Sequence, residues 1–151
     1  MAGWLFVIGE ENALHWVLAE KRMAFRGHVN TTRLKPGDLI VVYATRGCWH
    51  NPTRDRGQVA AVGTIASPVV AAPVEVSGEI MPHSCDLAFE VVLPERHGLP
   101  FDTLVARLPL TRSRTHWGPM LRRTIVGLSD TDVKVIRTAI HKAARNRESR
   151  A

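Results

Sequence analysis

The 151-residue sequence has no apolar run approaching the ~20 residues of a bilayer-spanning helix. Its first residues, "MAGWLFVIGEEN", lack the basic stretch and long apolar core of a secretory signal, so a cytoplasmic location is expected. It holds only two cysteines, Cys48 and Cys85. That excludes a disulfide framework, and in a cytosolic chain such a pair is more often two free thiols than a bridge. The glycine-rich phosphate loops G-x-G-x-x-G and Walker A are missing, which removes support for a dinucleotide or nucleoside-triphosphate enzyme. G-x-S-x-G and H-E-x-x-H are missing too, so neither a nucleophile elbow nor a zincin helix is present. There is no internal repeat and no low-complexity linker.

What is there is an ordinary globular composition, 45% hydrophobic and 23% charged, with an excess of base. The formal net charge is +6 and the isoelectric point about 10.1. Such a surface attracts polyanions and raises their encounter rate, although many basic proteins bind nothing acidic. A chain of this length buries roughly two thirds of its unfolded surface and needs no metal or disulfide to fold. One domain is expected over 1–145, followed by a basic tail, 146–151, that has nothing to bury and frays.

Along the chain, "GWLFVI" (Gly3–Ile8) reads as a buried strand. In "EENALHWVLAEKRMAF", Ala13, Leu14, Val17, Leu18, Lys21, Ala24 and Phe25 recur at helical spacing, with Glu10 and Glu11 near the N-terminus, which predicts one helix. Pro36-Gly37 fits the centre of a type II turn leading into a doubly buried strand, Leu39–Ala44. Gln58–Ile65 and Leu87–Leu93 are further strands, and Gly63 within the first marks a bulge or a close approach. A proline-rich middle gives short extended pieces and turns, including "LVARLPL" from Leu104, with a helical turn near Pro119–Arg123. Ser129 and Asp132 form a capping pair before an apolar helical stripe of Val133, Ile136, Ile140, Ala143 and Ala144. Lys134, Arg137, His141 and Arg145 face the other way. Five or six strands with a helix near each end make an α+β fold on a curved or barrel-like sheet.

Two spacings bear on metal. Cys48/His50 and His83/Cys85 are each i, i+2 pairs, which share a face on extended chain and would suffice for a tetrahedral site; the alternative is two buried thiols beside surface histidines. No metal or cofactor is expected. The seven histidines are scattered, and Ser84-Cys85-Asp86 beside His83 is no triad, because neighbours on a strand point to opposite faces. Aromatic rings set among arginines carry more information. Trp49 stands between Arg46 and Arg54, Phe25 beside Arg26, and Trp117 between Arg114 and Arg122. Rings stack on unstacked bases and guanidinium groups hold phosphates, so this mixture suits single-stranded or flipped-out nucleotides. Trp4 and Trp16 read as core, Trp117 as core or ligand-facing, and Trp49 as the stacking platform.

In order, "WLFVIGEEN", "LKPGDLIVVYA", "GQVAAVGTIASP" and "HWGPMLRRTIVGLSDTDVKVI" resemble an EVE domain, of the PUA-like superfamily that also holds ASCH and YTH domains. The resemblance spans roughly Gly3 to Ile140. It implies a PUA-like curved sheet or small β-barrel with helices packed around it, and a cleft that receives a modified or flipped base of DNA or RNA. On that basis Phe25, Arg26 and His28 form one wall, and the loop with Arg46, Trp49, His50, Arg54 and Arg56 forms another. Tyr43 lies at the end of the strand entering that loop, Gln58 closes the floor, and Trp117, Arg122 and Arg123 lie at the rim. Phe25 stands where relatives commonly carry tryptophan, which implies a smaller platform. Two other functions stay open at this level. One is hydrolysis of a modified nucleoside, as described for some ASCH relatives, with Lys21 as the lysine near the supposed cleft. The other is a non-catalytic protein-interaction domain.

Overall fold

The computed structural model describes residues 1–113 and 117–150. Strand β1 (Gly3–Ile8) leads to helix α1 (Glu11–Glu20), then β2 (Arg22–Phe25), β3 (Leu39–Ala44) and β4 (Gln58–Ile65). A hairpin of β5 (Val74–Val76) and β6 (Glu79–Met81) precedes the long β7 (His83–Val92) and the two-residue β8 (Leu99–Pro100). Two 3-10 turns, Phe101–Thr103 and Gly118–Arg122, come before β9 (Ile125–Leu128) and helix α2 (Asp130–Arg150). The main sheet runs β2-β7-β4-β3-β1-β9, with β8 alongside β4. It is the expected α+β architecture, a curled half-barrel of six strands with two helices. Only the β1–β3 pair is parallel; every other pair in the sheet is antiparallel.

Alternation along β1 explains the layering. Trp4, Phe6 and Ile8 point to one face with Leu14 and Val17 of α1, while Leu5 points to the other with Val133, Ile136 and Ile140 of α2. The doubly apolar runs of β3 and β4 therefore lie in the middle of the sheet, covered on both sides. The turn before β3 is as expected: Gly37 has φ +90°, and Asp38 N donates to Lys35 O at 3.1 Å. Asp38 is itself buried and accepts from Trp4 Nε1 at 2.9 Å and from the Lys35 amide at 3.0 Å, so it ties β1 to the turn. Gly63 sits at a register shift between β4 and β7, and a Cβ there would fall 2.2 Å from Ala88 O. The glycine is a bulge and a backbone contact at once.

Three expectations are corrected. The first helix stops at Glu20 instead of running to Phe25. Lys21 takes a left-handed conformation, φ 54°, and Met23 and Phe25 then pair with Cys85 and His83 of β7. Helical spacing of apolar residues across that junction was coincidental, since both short segments face one core. Residues 146–150, expected as a tail outside the helix, are a continuation of α2 to Arg150. Propagation of a nucleated helix needs no burial, and Ala, Arg and Glu are good formers. Finally, "LVARLPL" forms turns rather than extended chain. The Ser129–Asp132 cap holds: Asp132 N donates to Ser129 Oγ at 3.1 Å, and Ser129 N donates to Asp132 Oδ2 at 2.9 Å. No helix among the described residues is long and apolar enough to cross a membrane.

Candidate nucleic-acid interface

The parallel strands β1 and β3 finish at the same end of the sheet, where Thr45 N donates to Ile8 O. The start of β9 joins them there, with Val7 N bonded to Thr124 O at 2.9 Å. Concavities open on both faces of this end, which is where the carboxyl ends of parallel strands commonly leave room for ligands.

On the α1 face lies a pocket of about 260 Å³ between the β1–α1 junction, β2 and the β5–β6 hairpin. Ala13, Val17, Met23 and Met81 form its apolar side, Trp16 supplies one aromatic ring, and Glu10, Arg26 and Thr124 make the rest polar. Glu10 is engaged as the helix cap, its Oε2 accepting from Asn12 N at 2.8 Å, and Arg26 Nε pairs with Glu79 at 2.8 Å. The opposite face carries a cleft of about 580 Å³. Its aromatic wall is a ladder: Tyr43 meets Phe101 at 5.2 Å edge to face, and Phe101 meets Trp117 at 5.3 Å. Tyr43 and Phe101 are buried; Trp117, at the end of the ladder, is half-buried. Arg46, Arg56, Arg122 and Asp102 share the cleft. Burial first, and the Asp102 charge second, push the Tyr43 phenol up to about 12, so it stays a neutral hydroxyl. A third, shallower recess joins the two, lined by His28, Asn30, Arg122, Arg123 and Thr124. Arg122 belongs to both recess and cleft, and Thr124 to both recess and pocket. Among the described residues Arg46, Arg54, Arg56, Arg122 and Arg123 take part in no ion pair.

The single cleft expected from sequence is thus divided. Tyr43, Arg46, Arg56, Trp117 and Arg122 come together in one place; His28 and Arg123 line the joining recess; Arg26 lies at the α1 pocket. Five residues do not fit the expected picture. Phe25 is 0% exposed and packs edge-on against Phe6 at 5.7 Å, so it is core rather than a cleft wall. Trp49 is only 7% exposed and belongs to the α1-face core. Its Nε1 donates to Glu95 Oε1 at 3.1 Å, and the Arg96 guanidinium lies 5.8 Å from its ring. It borders a hollow of about 370 Å³ with His15 and Leu18, but on the flank under α1, away from Arg46 and Arg56. Gln58 is buried and spent on backbone: it accepts from Gly98 N at 2.6 Å and donates to Arg56 O at 3.2 Å. His50 is exposed with φ 60° and lies toward Glu10, not the cleft. Arg54 is exposed and lines none of these hollows. Arg114 and His116, the sequence neighbours expected beside Trp117, lie outside the described residues.

Sequence reading missed Trp16, Phe101 and Asp102 as lining residues. Only the topology brings Phe101, which follows β8, beneath Tyr43, and no local pattern signals it. The two candidate metal pairs do not come together: among the described residues they form no common cluster of ligand atoms, and both cysteines are buried free thiols whose pKa burial raises, to about 12 for Cys48 and about 11 for Cys85. Lys21 sits at the exposed end of α1 and lines none of the three hollows.

No family model matches this sequence, and no curated protein matches it. Solved structures do. The YTH domain of Mmi1 in complex with RNA superposes with TM-score 0.69 at 9% identity, over 98% of this chain and 86% of that one. The solution structure of Rpa0253 from Rhodopseudomonas palustris gives 0.57 at 13% identity, over 94% of each chain. A crystal structure of a Pseudomonas putida protein gives 0.58 at 14% identity, over 91% of this chain and 99% of that one. At such identities the likeness is one of fold, and it establishes that this chain carries the curled α+β fold of YTH domains.

Proposed function

We propose that this protein is an EVE-type reader of single-stranded nucleic acid, which seats one modified base in the pocket between α1 and β2. The observation that carries the reading is the row of arginines without an ion pair among the described residues, Arg46, Arg56, Arg122 and Arg123, set along neighbouring concavities between that pocket and Trp117. Guanidinium groups without carboxylate partners on a chain of charge +6 are suited to phosphates. The pocket, at about 260 Å³, falls just below the range of drug-sized ligand sites, which suits a base rather than a whole nucleotide. Met23 and Met81 are polarisable and adaptable, and with Trp16 they favour a base made more apolar by methylation. That the YTH domain of Mmi1 has been captured with RNA on the same fold supports the nucleic-acid class. The protein binds without turnover.

The test is a fluorescence-anisotropy titration of short RNA and DNA strands, each carrying one methylated base, beside the unmethylated strands. Binding that weakens steeply with salt, with the methylated strand preferred, supports the reading. No binding of any strand at low salt overturns it.

A further inference from the structure

Resting on that reading, we propose that the cleft on the opposite face is a second subsite of the same strand, and that it selects guanine. The cleft holds more than a base: its volume of about 580 Å³ is that of a site for a whole nucleotide. Its aromatic ladder ends at half-buried Trp117, where an unstacked base finds a ring to lie against. Among the described residues its one acidic lining residue is Asp102, exposed on the 3-10 turn after β8. Three arginines share the cleft, yet among the described residues Asp102 forms no ion pair. A carboxylate left open among guanidinium groups offers two acceptor oxygens to a ligand that the arginines have already drawn in.

Base chemistry then narrows the occupant. Bases splayed out of a stack are read on their Watson–Crick edges. Guanine presents two adjacent donors there, N1–H and the 2-amino group, which match two carboxylate oxygens. Adenine and cytosine set an acceptor beside their amino group, and uracil places one donor between two carbonyls. An acceptor facing the carboxylate is repelled, so the pairing rewards guanine and penalises the others. Arg46, Arg56 and Arg122 take the phosphates, and Arg122 continues into the recess that leads by Thr124 to the α1 pocket. One strand therefore reaches both sites by passing round the β9 edge of the sheet.

The experiment titrates the full chain with fluorescein-labelled nine-nucleotide oligouridylates, as RNA and as the deoxy equivalents, holding one central guanine, inosine or adenine. Guanine should bind about ten- to a hundredfold more tightly than adenine, as for a bidentate base contact, with inosine between because it keeps N1–H and lacks the amino group. Asp102→Asn, an exposed change that leaves the fold intact, should erase the preference while the plain oligouridylate binds at least as tightly, since a negative charge is lost from the strand's path. Equal affinity for guanine and adenine, or a preference that survives Asp102→Asn, overturns the proposal while leaving nucleic-acid binding in place. If no strand binds at all, the reading it rests on fails with it.

Discussion

The indole nitrogen of Trp49 donates to the Glu95 carboxylate at 3.1 Å, joining the loop after β3 to the segment after β7. The tryptophan that sequence singles out as a stacking platform is a structural clasp. Trp49→Ala should therefore lower unfolding free energy by about 3–5 kcal/mol, the cost of emptying a large buried aromatic site. Urea denaturation measures it. Folded Trp49→Ala protein should bind oligonucleotide as the parent does; a stable variant with binding lost would return Trp49 to the interface.

The same Glu95 oxygen meets His15 Nε2 at 2.6 Å. That hydrogen bond raises the histidine above its ordinary 6.5 and lowers Glu95 below its ordinary 4.5. The His15 contribution is complete below pH 6.5 and disappears as pH rises through the raised value. The Glu95 contribution is present above pH 4.5 and fades as pH falls through the lowered one. Both act together between those limits. Since each side chain is about half exposed, the effect is small: Tm should fall by about one or two degrees from pH 6 to 9, and the curve should flatten in His15→Ala. Equal slopes in the two proteins would show that the pair contributes nothing.

Gly63→Ala is expected to be among the most damaging small substitutions. Its methyl would lie 2.2 Å from Ala88 O and 2.9 Å from Phe89 Cα, both backbone atoms that cannot rotate aside. A loss of about 3 kcal/mol or more, the upper end of overpacking, should appear in thermal or urea melts. A neutral result would mean that β4 and β7 separate freely at the bulge.

The arginines should differ in what their loss does to the salt dependence of binding. Arg122→Ala or Arg123→Ala should each reduce the slope of log affinity against log salt by about 0.7–0.9, one phosphate apiece. Arg137→Ala should leave it unchanged, because Arg137 is paired with Glu90 of β7 at 2.8 Å and lines none of the three concavities. A common slope for all three would argue for diffuse attraction rather than a track.

Asp132 is 2% exposed, and it accepts from the Ser129 amide and hydroxyl, both at 2.9 Å, and from Leu110 N at 3.0 Å. It caps α2 and anchors the turn-rich segment that follows Phe101 and Asp102 of the cleft wall. Ser129→Ala should cost about 1 kcal/mol, as for an ordinary cap. Asp132→Ala should cost more, since it also strands the Leu110 amide, and it should weaken guanine binding as well as stability. Equal losses for the two variants would confine Asp132 to capping.

The strands with covered faces, β1, β3 and β4, were legible because continuous apolar runs bounded by turn residues have few other solutions. So were the Pro36-Gly37 turn and the Ser129–Asp132 cap, whose chemistry is local. The boundary at Lys21 was not legible, because a lysine in the left-handed region has no signature and the apolar residues on either side share a core. The site was half legible. Arginines flanking aromatic residues marked Arg46, Arg56, Trp117 and Arg122 correctly as neighbours in space, but sequence cannot say which ring of a pair turns inward. Trp49 and Phe25 turned inward; Trp117 remained half-buried. Phe101 and Asp102 enter the cleft through pairing of β8 with β4, a contact across 40 residues that no window of sequence contains.

The pocket and the cleft lie on opposite sides of a single layer of strands, and among the described residues the recess at Arg122 and Thr124 links them at its margin. A polymer that occupies both must double back over a rim one β-strand thick. Duplex DNA, with a persistence length of about 50 nm, is far too stiff for such a hairpin path, whereas an unpaired strand bends at every phosphate. Discrimination against paired nucleic acid would then come from the curvature of the route, before any base is read.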